Sequence, residues 1–266
     1  MSLESVRQTV RSALRTVARD ETSTTATRSA LVLAPHPDDE TLGCGATILR
    51  KVAAGTPVHV LVVTDGRHSH RSASLPPLEL AELRRKEMAQ AAERLGLPGD
   101  AVSWAGFEDG TVAQHEDELA ALVGRLVAEH RFDEVFATCA DEPHPDHAAV
   151  GRAARRAAGR AAVHGAARVL EYPVWLWGSW PLRRGDRLGS TLRATGMVLG
   201  RRAVRVAAGE HRTAKLHALD AHASQLRRPP VVPEDDEWAG LPAAVLKAAA
   251  DEFELFIPLS RRPSRG

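Results

Sequence analysis

Residues 30–64 read ALVLAPHPDDETLGCGATILRKVAAGTPVHVLVVT, and this stretch decides the fold class. It opens with a short apolar run (30–34) and continues over 40–54 with apolar residues at helix-like intervals. Gly55 marks the end of that helix, and a run rich in β-branched residues (57–64) follows it. The stretch therefore predicts a strand, a helix and a second strand.

The same alternation continues along the chain. The patterns predict further helices over 79–95, 115–130 and 146–163, and further strands over 101–104, 133–138 and 168–174. Strand, helix and strand in repetition indicate parallel βαβ units. We therefore expect an α/β protein with a Rossmann-like open, mainly parallel sheet and helices on both faces. Ligands bind such sheets beyond the carboxyl ends of the strands, where neighbouring crossovers diverge.

Composition narrows the functional classes without selecting one. There are 35 Lys and Arg against 34 Asp and Glu, a formal charge of +1, so the overall charge does not indicate a nucleic-acid partner. Cys44 and Cys139 are the only cysteines, too few for a disulfide framework or a four-thiolate zinc site. No stretch approaches eighteen apolar residues, so no membrane span is predicted. We expect a cytoplasmic protein.

The first 29 residues predict an N-terminal helix and a linker. Apolar residues recur at helical spacing between Val6 and Val17, and residues 20–28 (DETSTTATR) are polar. We expect the helix to pack on the main domain, assigned to 30–260, or on a second subunit of a homo-oligomer.

Two similar polar segments follow predicted strands about a hundred residues apart. They are HPDDE (36–40) and HPDH (144–147). In the simpler interpretation, Asp38 or Asp39 and then Asp146 cap the helices that follow. Capping, however, needs one short polar side chain per helix and has no use for the histidines or for two successive carboxylates. If the two strands are neighbours, both segments meet in one crevice.

The alternative interpretation is a catalytic metal site. Zinc binds imidazole nitrogen and carboxylate oxygen, commonly with three protein ligands and an open position. Two histidines and one aspartate meet that count and leave one carboxylate and one imidazole over. The spare carboxylate could act as general base and then acid, and the spare imidazole could stabilise an oxyanion. Ligation by two histidines and one aspartate also suits Fe²⁺.

Several blocks of sequence resemble the LmbE-like, or PIG-L type, zinc-dependent deacetylases. The blocks are LVLAPHPDDETLGCGATILRK (31–51), VVTDGR (62–67), FEDGTV (107–112), HPDHAAVG (144–151) and KLHALDAHASQ (215–225). The resemblance implies a Zn²⁺-dependent hydrolase that removes an N-acyl group, typically acetyl, from an amino-sugar-containing substrate.

Carried over by position, the resemblance also implies roles for single residues. It makes His36, Asp39 and His147 the zinc ligands, Asp38 the general base and acid, and His144 the oxyanion stabiliser. Arg84 and Asp109 fall where the family holds sugar hydroxyls. Their alternatives are a charge on a helix surface and a residue of a turn.

The chain departs from the family pattern at two positions. Ala46 stands where many members have a second glycine. Glu142 stands where the thiol-biosynthesis branch has a tyrosine, so membership of that branch is in doubt. Lys215, His222 and Gln225 match family positions, although helical spacing alone would explain them.

Residues 172–206 are the least family-like and are interpreted as a variable lid beside the zinc. The segment carries three tryptophans, among them Trp177, and seven arginines, among them Arg183. Aromatic faces suit sugar rings, and guanidinium groups suit phosphate or carboxylate. We expect Trp177 and Arg183 to bind a glycoside or glycoconjugate with a large or anionic aglycone. The alternative is an insertion with tryptophan in the core and solvated arginine.

Other functions compete with deacetylation. Gly43 and Gly45 after a strand suggest nucleotide binding, but the third glycine of that motif is missing and two aspartates would repel a pyrophosphate. The arginine-rich segment suggests binding to nucleic acid or a membrane surface. The metal loops would also serve a non-catalytic zinc or sugar-binding protein, or an amide or ester hydrolase for a non-sugar substrate.

Overall fold

The computed structural model describes residues 3–161, 167–179 and 203–259, and its centre is an eight-stranded sheet. The strands are β1 (Arg19–Asp20), β2 (Ala30–Ala34), β3 (Val58–Thr64), β4 (Val102–Phe107), β5 (Glu134–Thr138), β6 (Arg168–Tyr172), β7 (Val204–Ala207) and β8 (Phe253–Pro258). The described helices are α1 (Leu3–Val17), α2 (Thr22–Ala26), α3 (Asp39–Ala53), α4 (Pro77–Arg94), α5 (Glu116–His130), α6 (Pro145–Ala161), α7 (Leu176–Ser179), α8 (His211–Leu219), α9 (Ala223–Leu226) and α10 (Ala243–Ala249), with a 3₁₀ turn at Val112–Gln114.

The sheet is mixed and mainly parallel, which confirms the predicted fold class. Its strand order is β1-β7-β8-β6-β5-β2-β3-β4, and β8 is antiparallel to both of its neighbours. From β2 the chain winds outward through β3 to β4 and then returns to β5, on the other side of β2. The strand order therefore reverses between β2 and β5, which is where ligands bind in sheets of this type.

The two faces of the sheet bury two separate apolar cores. Alternate residues of β2 point to opposite faces, so Val32 joins one core while Leu31 and Leu33 join the other. Helices α3 and α4 cover the first core, and α5 and α6 cover the second. Helices therefore cover both faces, as predicted.

Residues 20–28 are not the linker that their polar composition predicts. They contain part of β1, which pairs with β7, and the whole of α2. The buried ammonium group of Lys51 donates to the carbonyl oxygens of Thr25 and Arg28, each at 2.6 Å. Backbone groups of this segment thus find tertiary partners that local composition does not reveal. Helix α1 packs on its own chain through Leu14, and Ala18, directly after the helix, joins the same apolar cluster.

The two glycines that suggest nucleotide binding serve helix packing instead. A Cβ atom at Gly43 would lie 2.2 Å from the ring of Tyr172, and one at Gly45 would lie 2.8 Å from the side chain of Lys215. Glycine therefore lets α3 approach β6 and α8 closely. Cys44, between them, is buried in the core. No described helix has the length and apolar character to cross a membrane.

Candidate active site

The two His-Pro-Asp segments lie side by side at the carboxyl edge of the sheet. The first follows β2 and the second follows β5, and these two strands are hydrogen-bonded neighbours. Thr64, at the end of β3, donates through its N–H and its hydroxyl to the carbonyl oxygen of Pro35, at 3.0 and 3.1 Å. The hydroxyl of Thr138 donates to the carbonyl oxygen of His147 at 2.7 Å. Strand ends therefore hold both segments by hydrogen bonds to their backbone.

Three side-chain atoms from these segments converge on one point. Nδ1 of His36 lies 3.1 Å from Nε2 of His147 and 3.5 Å from Oδ2 of Asp39. The same oxygen of Asp39 lies 3.3 Å from Nε2 of His147. A tetrahedral zinc ion with bonds of about 2.0–2.2 Å would separate its ligand atoms by about 3.3–3.5 Å. The residues present therefore fit a metal ion at this point.

The second nitrogen of His36 has a different partner. Nε2 lies 3.0 Å from Oδ1 of Asp109 and, because a carboxylate only accepts, it donates there. Nδ1 is thereby turned toward Asp39 and His147. A metal-ligating histidine commonly makes such a bond through its other nitrogen.

A second group of potential ligands lies on the far side of the His36 ring. His36, Asp109 and Asp146 also bring one ligand atom each to within 4.8 Å of one another. Both carboxylates, however, face Nε2 of His36, at 3.0 and 3.5 Å, whereas Asp39 and His147 face Nδ1. Each also accepts backbone hydrogen bonds. Asp146 accepts from Gly110 and Val112 at 2.7 and 3.2 Å, and Asp109 from His68 at 2.8 Å. We therefore interpret them as groups that orient His36.

The electrostatics of the cluster favour a bound cation. Burial disfavours charge on His36, but hydrogen bonds to Asp109, Asp146 and Asp39 outweigh it and raise its pKa well above the usual range. Burial lowers the pKa of His147 to about 3, so its imidazole is neutral and keeps a lone pair for a ligand.

Asp38 is buried next to this cluster and does not cap the helix that follows it. It precedes α3 with a φ of 133°, and its side chain makes no capping hydrogen bond. Burial raises the pKa of Asp38 to about 7, and the neighbouring charge of Asp39 adds to the rise, while Arg84 opposes it. A carboxyl group that titrates near neutrality suits a general base.

His144 lines the same cleft from the other segment. Its ring centroid lies 4.9 Å from those of His36 and His147. Its Nδ1 is buried and has no hydrogen-bond partner among the described residues. It is therefore placed beside the metal-ligand cluster and lines the cleft.

Arg84 does not lie on a helix surface, so that alternative is wrong. The side chain is 2% exposed, and its guanidinium group donates to the carbonyl oxygens of Pro37 at 2.6 Å and Gly66 at 3.1 Å. Its guanidinium group thus reaches the backbone of the loops that follow β2 and β3. Whether Arg84 also binds a sugar hydroxyl stays a prediction, as it does for Asp109.

Trp175, rather than Trp177, lies in the cleft, which has a volume of about 370 Å³. The ring of Trp175 lies 6.2 Å from that of His144 at an angle of 26°. Trp177 packs with the apolar cluster that includes Leu14. The guanidinium carbon of Arg11 lies over the ring of Trp177, 5.6 Å from the ring centroid. The two side chains point to different sides of the chain. The packing of Trp177 favours the alternative of a tryptophan in the core, and its contact with substrate stays a prediction. Arg183 lies outside the described residues.

Sequence reasoning also missed the outer wall of the cleft. His70, in the loop that follows β3, stacks on Trp238 with ring centroids 4.0 Å apart and an interplanar angle of 5°. Both residues lie in irregular segments whose contact depends on chain folding over more than 160 positions, so no periodicity could indicate it. The wall joins the loop after β3 to the segment that follows α9.

Comparison with known proteins agrees with the resemblance of the motifs. Residues 31–158, which include both His-Pro-Asp segments, match the family model PIG-L: GlcNAc-PI de-N-acetylase.

Relatives with an assigned function match part of the chain. A protein of Bacillus cereus named "Probable N-acetyl-alpha-D-glucosaminyl L-malate deacetylase 2" is 30% identical over 138 residues, which cover 50% of this chain and 62% of that protein. The 1D-myo-inositol 2-acetamido-2-deoxy-alpha-D-glucopyranoside deacetylase of Kineococcus radiotolerans is 33% identical over 163 residues, or 49% of this chain and 44% of that enzyme. The chain thus spans less than two thirds of either relative.

The fold recurs in a solved structure. The N,N'-diacetylchitobiose deacetylase of Pyrococcus horikoshii matches with a TM-score of 0.60 and 21% identity, covering 86% of this chain and 81% of that enzyme. At this identity the match shows a shared fold.

Proposed function

We propose that this protein is a zinc-dependent deacetylase of the PIG-L (LmbE-like) type, a proposal that the match of residues 31–158 to that family model supports. Its substrate would be an amino-sugar-containing molecule that carries an N-acyl group, acetyl in the simplest case. One observation carries the proposal. Nδ1 of His36, Oδ2 of Asp39 and Nε2 of His147 lie 3.1–3.5 Å from one another, and Asp38 lines the same cleft.

His36, Asp39 and His147 would hold the metal. Zinc is favoured by the mixed imidazole and carboxylate donors, and Fe²⁺ is the alternative for the same set. When bound, the ion supplies electrostatic activation, because it lowers the pKa of a coordinated water to about 7.

The protein side chains then divide the remaining work. Asp38 accepts a proton from the attacking water, whose oxygen forms a bond to the acyl carbonyl carbon. An N–H of the His144 imidazole donates a hydrogen bond to the carbonyl oxygen as negative charge develops there. Asp38 returns the proton to the amide nitrogen while the C–N bond breaks, so the products are a free amine and a carboxylic acid.

The cleft supports a sugar-sized substrate. Trp175 offers an aromatic face near His144, and polar groups of Ser69 and Gln225 line the same cleft. Aromatic faces and a few placed polar groups are what a sugar ring requires. The two curated relatives carry names of amino-sugar deacetylases. We infer a small glycoside or glycoconjugate as the substrate.

A panel of N-acetylated amino sugars and glycoconjugates, assayed for released acid, tests the proposal. The panel also includes amide and ester substrates that contain no sugar. The metal content of the same protein preparation is measured. If only the substrates without sugar are hydrolysed, the substrate is a non-sugar amide or ester and not an amino-sugar derivative. A preparation with no zinc or iron and no hydrolysis would overturn the proposal.

Two variants separate metal binding from chemistry. His147→Ala should lose the metal and the activity together. Asp38→Asn should keep the metal within about twofold and lose activity by roughly 10²–10⁴. Metal loss in Asp38→Asn with activity retained would reverse the assigned roles.

We further propose that residues 30–260 act as one catalytic domain and that the protein works in a reducing cytoplasm. Both cysteines are buried and unpaired, which supports a reducing compartment.

A further inference from the structure

Two buried charged side chains hold the peptide group between Pro37 and Asp38. Its carbonyl oxygen accepts a hydrogen bond from Nη2 of Arg84 at 2.6 Å. Its N–H donates to Oε2 of Glu40 at 3.1 Å. Arg84 and Glu40 are 2% and 0% exposed, so water does not compete for either contact. Both ends of one peptide group are therefore fixed.

The residue that follows this peptide group has an unusual backbone. Asp38 has a φ of 133° and a ψ of −26°, a conformation that residues with a side chain rarely adopt. Its carbonyl oxygen is also fixed, because it accepts from the N–H groups of Leu42 at 2.8 Å and Thr41 at 3.1 Å. The hydrogen bonds on either side of Asp38 thus hold its backbone in a conformation that is unfavourable for a residue with a side chain.

Each of the two charged residues has further support. The second oxygen of Glu40 accepts from the hydroxyl of Thr41 at 2.5 Å and lies 3.2 Å from Nε2 of the buried His222. Arg84 also donates to the carbonyl oxygen of Gly66, where a Cβ atom would lie 2.1 Å from Nη1. Only glycine at position 66 leaves room for the guanidinium group.

We propose that Glu40 and Arg84 are positioning residues that clamp the Pro37–Asp38 peptide and so aim the Asp38 carboxylate at the reacting centre. The inference rests on the proposed function, in which Asp38 is the general base. It gives Arg84 and the His222–Glu40 pair a role in holding the backbone of the site, separate from any contact with substrate.

The strain itself is tested without any assay of activity. Glycine adopts a φ of 133° readily, whereas alanine does not. Asp38→Gly should therefore have a Tm higher than Asp38→Ala by roughly 2–4 °C. When Glu40→Ala is added to both, the peptide can relax and the difference should shrink. An Asp38→Ala protein at least as stable as Asp38→Gly, or an unchanged difference without Glu40, would overturn the clamp.

The kinetic test uses the metal-loaded enzyme. Glu40→Ala should lower kcat about 10²-fold, the usual cost of a misplaced catalytic group, while KM and metal content stay within about twofold. Glu40→Gln should lose less, because its amide oxygen can still accept from the Asp38 N–H. In an Asp38→Asn background, Glu40→Ala should add no further loss, since Glu40 acts through Asp38.

Glu254 provides a matched control. It is buried and accepts from the N–H groups of Ala46 and Thr47 in the same helix, at 2.8 and 2.9 Å, but it makes no contact with Asp38. Glu254→Gln should lower Tm and leave kcat unchanged. Equal losses of kcat at the two positions would overturn the proposal. If the wild-type protein hydrolyses no N-acyl amino sugar, the proposed function fails, and the Tm comparison still decides the clamp.

Discussion

Asp38 and Asp39 are identical side chains at neighbouring positions, and their surroundings separate them. Oδ2 of Asp39 lies within 3.5 Å of two imidazole nitrogens, from His36 and His147. Oδ2 of Asp38 lies 3.5 Å from the guanidinium group of Arg84 instead. Only one of the two carboxylates is therefore within reach of both imidazoles, and the other is free for the proton transfer that we propose.

His144→Ala tests the oxyanion role at the same scale. The variant should keep its metal, and kcat should fall by about 10²–10³ with a smaller change in KM, because the contact strengthens only in the transition state. Steady-state kinetics with metal analysis measure this. A rise in KM at constant kcat would show that His144 binds substrate without stabilising the reacting oxygen.

Trp175→Ala and Trp177→Ala form a matched pair for substrate binding. Trp175 lines the cleft, so its removal should raise KM about tenfold, equivalent to one aromatic contact of roughly 1–1.5 kcal/mol. Trp177 packs near Leu14, so its removal should lower Tm and leave KM unchanged. The reverse pattern would show that the 172–179 segment turns the other face to the substrate.

At the scale of elements, the site depends on how closely α6 approaches the end of β5. A Cβ atom at Gly151 would lie 2.4 Å from the carbonyl oxygen of Thr138 and 2.5 Å from the backbone nitrogen of Ala140. Both contacts are with backbone, which cannot move aside as a side chain can. Glycine at this position therefore allows the helix that carries His147 to pack closely against the end of β5.

Gly151→Ala should lower the free energy of unfolding by about 1–3 kcal/mol, the usual effect of overpacking. It should also lower kcat, because His147 moves with the helix. Gly124→Ala in α5 is the control, since a Cβ atom there would meet nothing within 4 Å. That change should raise stability by roughly 0.5–1 kcal/mol. Urea unfolding of both variants measures the difference. If both variants are destabilised, the effect at Gly151 is not specific to its contact with the end of β5.

Across the whole molecule, Glu142 connects the loop after β5 to the chain after β6. Its carboxylate accepts from the N–H groups of Val174 at 2.6 Å and Leu176 at 3.0 Å, on either side of Trp175. The position at which the chain departs from the thiol-biosynthesis branch thus holds a wall of the cleft. Burial raises the pKa of Glu142 to about 8, although these backbone hydrogen bonds oppose the rise.

This pKa predicts how stability depends on pH. The folded value of about 8 exceeds the ordinary value of 4.5, so the folded protein holds a proton that the unfolded chain releases. The resulting stabilisation is fully present below pH 4.5 and is lost as pH rises toward 8, by at most about 1.4 kcal/mol per pH unit. Urea unfolding between about pH 5.5 and about pH 7.5 should show a steeper fall in the free energy of unfolding for wild type than for Glu142→Gln. Parallel slopes would show that Glu142 is ionised in the folded protein.

Much of the fold could be predicted because it depends on neighbours in the chain. The apolar run at 30–34 and the β-branched run at 57–64 became β2 and β3, and the helix between them became α3 with a boundary shift of one residue. Polar composition misled at 20–28, where Lys51 and Glu134 supply buried partners from distant elements. Local periodicity carries no information about such partners.

Sequence alone predicted the α/β class, the resemblance to the PIG-L family that the match of residues 31–158 agrees with, and the side chains of the candidate metal site, because these follow from local patterns and residue types. Tertiary structure alone decided which side chain faces which partner. The inward course of Arg84, the choice between Trp175 and Trp177, and the backbone of Asp38 each depend on packing between segments far apart in the chain. The physical reason is that backbone torsions and close packing orient a side chain, and both are set by contacts that form only when the chain folds.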